Sequence, residues 1–236
     1  MNRLAILLGF GALFLMSASG VDASLINIAQ DGAVTVNVLA SEDSPDVSQI
    51  GGEQSSFSLN NIDLSIQKRD ENTYLYLDNG EQTKTLDITN YNDDLVEVEG
   101  RQGIQKLTIS KIDDNYQIQQ DGLIVVTDYQ IDVNAKDGDL LIVTPTGKKY
   151  LLVFPTEAAL TLLRSKVVNK ISKDQKIQMS ENDGVLTYAI FGKKVFSVFG
   201  FLGFEIDVQT KVSATTGEVV AITSPEWMKI LSAVFI

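Results

Sequence analysis

From Leu59 onward, apolar and polar residues alternate with a period of two, interrupted at short intervals by turn residues. That pattern marks strands with one face buried. Ile62, Leu64 and Ile66 share one face of the first run, and Thr73 to Leu77 forms the next. Asp78-Asn79-Gly80 then gives a hairpin signal before Thr85 to Ile88. Further strands are expected at Leu95–Val98, Lys106–Ile109, Tyr116–Ile118, Leu123–Thr127, Tyr129–Val133, Leu140–Thr144 and Tyr150–Phe154. Asp113-Asp114-Asn115, Asp121-Gly122, Asp137-Gly138 and Thr146-Gly147 supply the turns between them. Strands this short and evenly spaced predict an antiparallel meander, sandwich or partly open barrel. Ahead of them, Ala33–Leu39 reads as a first strand, and the polar stretch 40–57 as a long loop or linker.

The period changes once. Over Thr156 to Asn169, Leu160, Leu163 and Val167 fall at i, i+3 and i+7 beside Ala159, which predicts a helix with one stripe on a sheet. Pro155 ends the preceding strand, Thr156 offers a cap, and Glu157 complements the positive N-terminal end. Arg164, Lys166 and Lys170 lie toward the other end, where cations are favoured. Strands resume at Lys176–Met179, Val185–Ile190, Phe204–Val212 and Glu218–Ile222, with Asp183-Gly184 and Thr216-Gly217 at turns. The expected fold class is mainly β with one helix: an antiparallel β-domain followed by a small α+β unit.

The amino terminus has its own pattern. Arg3 precedes the apolar run Leu4–Met16, and small residues follow, so residues 1–23 read as a secretory signal cleaved after Ala23. Ala18-Ser19-Gly20 offers a second cleavage point. An uncleaved anchor is the competing reading, because Leu4 to Val21 carries no charge. Membrane contact is then expected through that segment if it is kept. A lipid-anchored form would need a cysteine after the apolar run, and the chain has none.

Charge adds a boundary. The 236 residues carry 19 Lys+Arg and 31 Asp+Glu, a net of −12. Residues 24–150 hold 22 acids against 9 bases, and residues 151–236 hold 8 against 9. The predicted organisation is therefore 24–57 as first strand and linker, 58–150 as an acidic β-domain, and 151–236 as the α+β unit. So acidic a chain argues against nucleic acid as partner, since backbone binding needs clustered Lys and Arg.

With no histidine and no cysteine, an imidazole base, a thiolate nucleophile and the usual zinc, haem and iron–sulfur ligands are all missing. Disulfides and a histidine pH switch go with them. Oxygen-ligand metals and paired-carboxylate chemistry survive on composition. Asn90, Asn92 and Asp94 have the spacing of the first three ligands of a calcium loop, but Leu95 stands at the glycine position and Arg101 where a bidentate Glu belongs. No catalytic residue, cofactor or metal is expected, and a carboxylate-based hydrolase is the remaining enzymatic reading.

Several pieces of the second half are similar to a PepSY-type module: Pro155-Thr156-Glu157-Ala158-Ala159 at the helix start, the Asp183-Gly184 turn, Leu186-Thr187-Tyr188-Ala189-Ile190, and Val212 to Val219 with its Thr216-Gly217-Glu218-Val219 hairpin. The resemblance spans roughly residues 150–222, with a Gly/Phe-rich insert at 191–204. It implies an exported, non-catalytic module of the kind found in protease propeptides, and hence a regulator of a separate peptidase as one reading.

That insert holds the other candidate. Val195 to Phe204 carries no charge, and Phe196, Phe199, Phe201 and Phe204 are interrupted by Gly200 and Gly203. One reading is an apolar tip that docks on a partner or a membrane surface; the other is a pair of buried strands with a glycine turn. Trp227–Ile236 poses the same choice between core element and adhesive tail, and is too short to span a bilayer. The sequence thus leads to an exported, non-enzymatic cell-envelope protein that acts on an unknown envelope protein or surface.

Overall fold

The computed structural model describes residues 24–37, 48–50, 59, 61–100, 106–198 and 202–223. The alternating runs become strands. In chain order these are β1 (Ile26–Ile28), β2 (Val34–Val36), β3 (Ser48–Ile50), β4 (Asp63–Arg69), β5 (Asn72–Asp78) and β6 (Thr83–Asp87). Next come β7 (Asp94–Val98), β8 (Leu107–Ile112), β9 (Asn115–Gln120), β10 (Leu123–Thr127), β11 (Gln130–Asn134), β12 (Asp139–Thr144) and β13 (Gly147–Tyr150). Helix α1 (Pro155–Arg164) leads to β14 (Lys170–Ile171), β15 (Ile177–Asn182), β16 (Val185–Val198), β17 (Leu202–Ser213) and β18 (Val219–Thr223).

Two sheets hold them. The 7-stranded sheet runs β13-β12-β11-β4-β5-β6-β3. The 11-stranded sheet runs β18-β17-β16-β15-β10-β9-β8-β7-β1-β2, with β14 on the side of β16. Leu64, Ile66, Leu75, Leu77, Ile131 and Ile142 of the first meet Ile26, Val96, Ile109, Ile118 and Val125 of the second in one buried cluster. Mainly antiparallel pairing follows from the short turns: Asp121-Gly122 and Asp183-Gly184 both have positive φ at each residue, as a tight two-residue hairpin of matching twist requires. Two pairings are parallel, β1 with β7 and β10 with β15.

The charge break near Lys149 falls in β13, and both sheet and core continue past it. Val125 of β10 pairs with Ile177 of β15, and Ala158, Leu162, Tyr188 and Val212 belong to the same cluster as Leu64 and Ile131. Of Leu151–Phe154, expected as part of a strand, Leu151 still donates its amide to the Leu140 carbonyl of the small sheet at 2.9 Å, and the chain then crosses to the large one. There the Val153 amide donates to the Ala214 carbonyl at 2.9 Å, and the buried Tyr188 hydroxyl donates to the Val153 carbonyl at 2.9 Å.

Helix α1 begins with Pro155 at its first turn and Phe154 before it, with no side-chain cap from its own segment. Thr156 lies inside the helix; its amide instead donates to Gln120 Oε1 of β9 at 3.2 Å. The buried stripe is Pro155, Ala158, Ala159 and Leu162, while Leu160 is 39% exposed. This is the same spacing as predicted, rotated around the axis. The helix stops at Arg164, five residues short of the expected Asn169. Lys166 adopts φ 54°, its amide donates to Leu163, and the Val167 amide reaches back to Leu162. Those two bonds form a Schellman stop, with lysine where glycine is usual. The predicted first strand shrinks to Val34–Val36, and β3 lies in the stretch read as a linker.

Candidate functional site

The longest hairpin of the molecule outruns its sheet. β16 and β17 pair from Thr187↔Ser213 up to Val198↔Leu202. β15 leaves β16 at Ala189, β14 reaches only Lys193, and β18 follows β17 no further than Gln209. The last rungs, from Lys194↔Ile206 to Val198↔Leu202, form a two-stranded ribbon without a further strand neighbour among the described residues. Isolated two-stranded ribbons are marginal in water, so this extension depends on how its base is held.

Two hydrogen bonds hold the base. The Asn169 amide donates to the Lys193 carbonyl at 2.8 Å, and the Val195 amide donates to Asn169 Oδ1 at 2.8 Å. The segment after α1 therefore lies against β16 until that point. Gly192 makes the close approach possible: a Cβ there would sit 2.7 Å from the Lys170 carbonyl oxygen and 2.9 Å from Val168 Cγ1. No other side chain fits without moving backbone.

Strand periodicity then decides what the ribbon shows. Tyr188, Ile190, Val208 and Val212 point to the core, and the same face continues outward to Lys194, Phe196, Phe204 and Ile206. Phe196 and Phe204 are directly opposite each other. Ile206 is still buried, Phe196 is half-buried, and Phe204 is 51% exposed. On the other face Val195 is 46% exposed. The buried-strand reading of Val195–Phe204 thus fails at Val195, on the outer face, and at Phe204, where the core face keeps an apolar residue after the core has ended. Phe199 and Phe201 lie outside the described residues, as do the Ala23 cleavage point and Trp227–Ile236.

A charged collar rings the ribbon below this end. Lys193 pairs with Glu205 at 3.3 Å, and Lys194 Nζ lies 5.7 Å from the centre of the Phe196 ring, within cation–π range. Lys170 of β14 stands directly opposite Lys193, a like-charge cross-strand pair that costs stability. Lys170, Lys173 and Lys193 also line a groove of about 790 Å³ between α1, the start of β10 and β14, together with Asp121 and Asp174, and Leu123, Leu163 and Ile171 stand in its wall. Leu160, off the helix stripe, borders the same groove.

Two carboxylates are embedded in networks that sequence spacing does not reveal. Asp132, on the outer face of the small sheet with 14% of its side chain exposed, accepts from Ser65 Oγ at 2.7 Å, Gln130 Nε2 at 2.8 Å and Lys148 Nζ at 2.8 Å. Burial alone would raise its pKa; the donors Lys148, Gln130 and Ser65 together outweigh it and hold the carboxyl below its ordinary range. Glu181 of β15, with 6% of its side chain exposed, reaches the β12–β13 turn. Its Oε1 accepts from the Thr146 hydroxyl and lies 3.0 Å from Thr144 Oγ1, and the Thr146 hydrogen bond leads in lowering its pKa. Glu181 thereby ties one sheet to the other across the chain's midpoint. Both carboxylates spend their lone pairs on internal donors, which suits fastening rather than proton transfer. Among the described residues no three acidic side chains converge as a metal site would need.

No family model matches the chain, and no curated protein does. Among solved structures the chain is similar to a provisionally assigned lipoprotein from Clostridium difficile 630, at 12% identity over 70% of this chain and 82% of that one, with a TM-score of 0.20. A superposition that loose carries no functional argument.

Proposed function

We propose that the chain works outside the cytoplasm as a non-catalytic cell-envelope protein, and that the β16–β17 ribbon is its docking element. One observation carries the reading: the apolar core face runs on past the core to an exposed Phe204, with Val195 exposed on the opposite face, along a ribbon that no other described strand supports. Monomeric proteins avoid such extensions unless something covers them. The signal-like segment 1–23 supports export, and the missing imidazole and thiol groups support a contact role over turnover.

Photocrosslinking from position 204 tests this. A photoreactive residue placed at Phe204 and expressed in an exporting bacterial host is expected to give covalent adducts in the envelope fraction. The same residue at Asp113, in the β8–β9 turn, is expected to give none. Equal yields from the two positions would remove the ribbon from the docking role.

A further inference from the structure

We infer that the outer face of the small sheet binds a neutral polysaccharide, an extended chain of hexopyranose rings laid across β5, β4 and β11. The site is separate from the β16–β17 ribbon and does not depend on it.

The strand register assembles the face. Leu64, Ile66, Leu75 and Leu77 fill the core, which turns Ser65, Gln67, Tyr74 and Tyr76 outward. Tyr76 stands opposite Ser65, Ser65 opposite Asp132, and Asp132 opposite Leu141. One rung along, Tyr74 stands opposite Gln67. Three strand spacings of about 4.8 Å make this row roughly 14 Å wide, room for more than one sugar ring. A cleft of about 410 Å³ lies over it, with Tyr76, Gln67, Gln130 and Leu141 in its lining. Clefts that hold small molecules measure about 300–1,000 Å³.

The tyrosines supply apolar surface. Their ring centres are 6.3 Å apart, and neither side chain is fully buried. Each leaves part of a flat ring in water with a hydroxyl at its edge. A hexopyranose with equatorial hydroxyls turns its axial C–H bonds to one side and matches such a ring; its hydroxyls then run along the sheet.

Beside the rings the polar groups are already held in place. Arg69 Nη2 donates to Gln67 Oε1 at 3.5 Å, and Gln67 Nε2 donates to Ser65 Oγ at 2.8 Å. Gln130 Nε2 donates to Ser65 Oγ at 3.0 Å and to Asp132 Oδ1 at 2.8 Å. The Arg69 guanidinium also lies 5.1 Å from the centre of the Tyr76 ring, within cation–π range. Fixing long polar side chains on an open face costs rotamer freedom and returns little stability by itself. The same ordering lowers the cost of taking up a ligand. Amides suit this ligand, since each sets a donor beside an acceptor, as two neighbouring sugar hydroxyls do.

Charge argues for a neutral chain. Asp132 is matched by Lys148, but Asp63 and Asp78 pair across the strands at one end of the cleft, where Asn134 Nδ2 donates to Asp63 at 2.9 Å. Asp63, Asp78 and Asp132 outnumber Lys148 and Arg69, so uronate and phosphate polymers are repelled. A cationic peptide would meet Asp63 and Asp78 at that end and leave the tyrosine surface uncovered.

Calorimetric titration of the full-length chain tests this, with cellohexaose and chitohexaose as neutral probes, hexagalacturonate as an anionic one and hexalysine as a cationic one. At least one neutral hexamer is expected to give saturable binding, and hexagalacturonate none. Gln67→Ala is expected to weaken the sugar about three- to tenfold, the loss of one hydrogen bond. Tyr74→Ala with Tyr76→Ala is expected to abolish binding at an unchanged thermal midpoint; Gln67→Ala keeps the test open if that pair unfolds the chain. Absence of binding by both neutral hexamers overturns the inference, as does sugar binding that Gln67→Ala leaves unchanged. Hexagalacturonate bound as tightly as the neutral probes overturns the neutral-chain assignment. Hexalysine bound more tightly than either sugar would make this face a contact for basic peptide instead.

Discussion

At the residue scale, single positions decide where the chain can touch itself. Gly192 is the clearest, because its missing Cβ leaves room for the Lys170 carbonyl and the Val168 side chain. Gly192→Ala is expected to cost about 1–3 kcal/mol, the usual range for forcing an added methyl into a packed site. Denaturant unfolding measures it, and an unchanged midpoint would show that the segment after α1 does not seat there. Asp132 sets an acid limit. Its folded pKa lies below the ordinary carboxylate value, so its contribution is present above about pH 4 and is lost as the pH falls through the folded value. The raised pKa of Lys148, caused first by its hydrogen bond to Asp132, places the other limit above about pH 10. Asp132→Asn should therefore be less stable than wild type near neutrality and show a shallower loss of stability on acidification, read from urea midpoints across pH.

At the element scale, the helix separates what periodicity can see from what it cannot. The 3.6-residue rhythm locates α1, but Leu160 and Leu163 carry that rhythm as convincingly as Leu162. Only the packing against β10, β14 and β16 selects the Leu162 side. Leu162→Ala is accordingly expected to cost about 2–5 kcal/mol, and Leu160→Ala well under 1 kcal/mol, by thermal or urea unfolding. Reversed values would put the wrong face on the sheet. The helix end was illegible for a related reason: Lys166 takes the left-handed stop that glycine would have announced. Most strands, by contrast, stand where alternation places them, since one-sided burial writes a period of two directly into the residues. β1 escapes because three residues are too few to show a period. The β16–β17 ribbon was ambiguous because an apolar run looks alike whether it fills a core or outlasts one; its exposure depends on where β14, β15 and β18 stop.

At the scale of the whole molecule, two sheets share one core, and long-range ties bind the halves that charge distinguishes. Glu181 fastens β15 to the β12–β13 turn, and Tyr188 fastens β16 to the crossing segment at Val153. No spacing in the sequence points to either tie, because the partners stand 35 or more residues apart. That scaffold holds the base of the ribbon in place, while Val195 and Phe204 beyond it are exposed. If the ribbon makes the contact, retention in the envelope depends on Phe204. Wild-type and Phe204→Asp chains are exported from the same host, shown to have equal thermal stability, and quantified in washed envelope and soluble fractions. Phe204→Asp is expected to shift the protein from the envelope to the soluble fraction; the same envelope share for both chains would show that the ribbon is not the docking element.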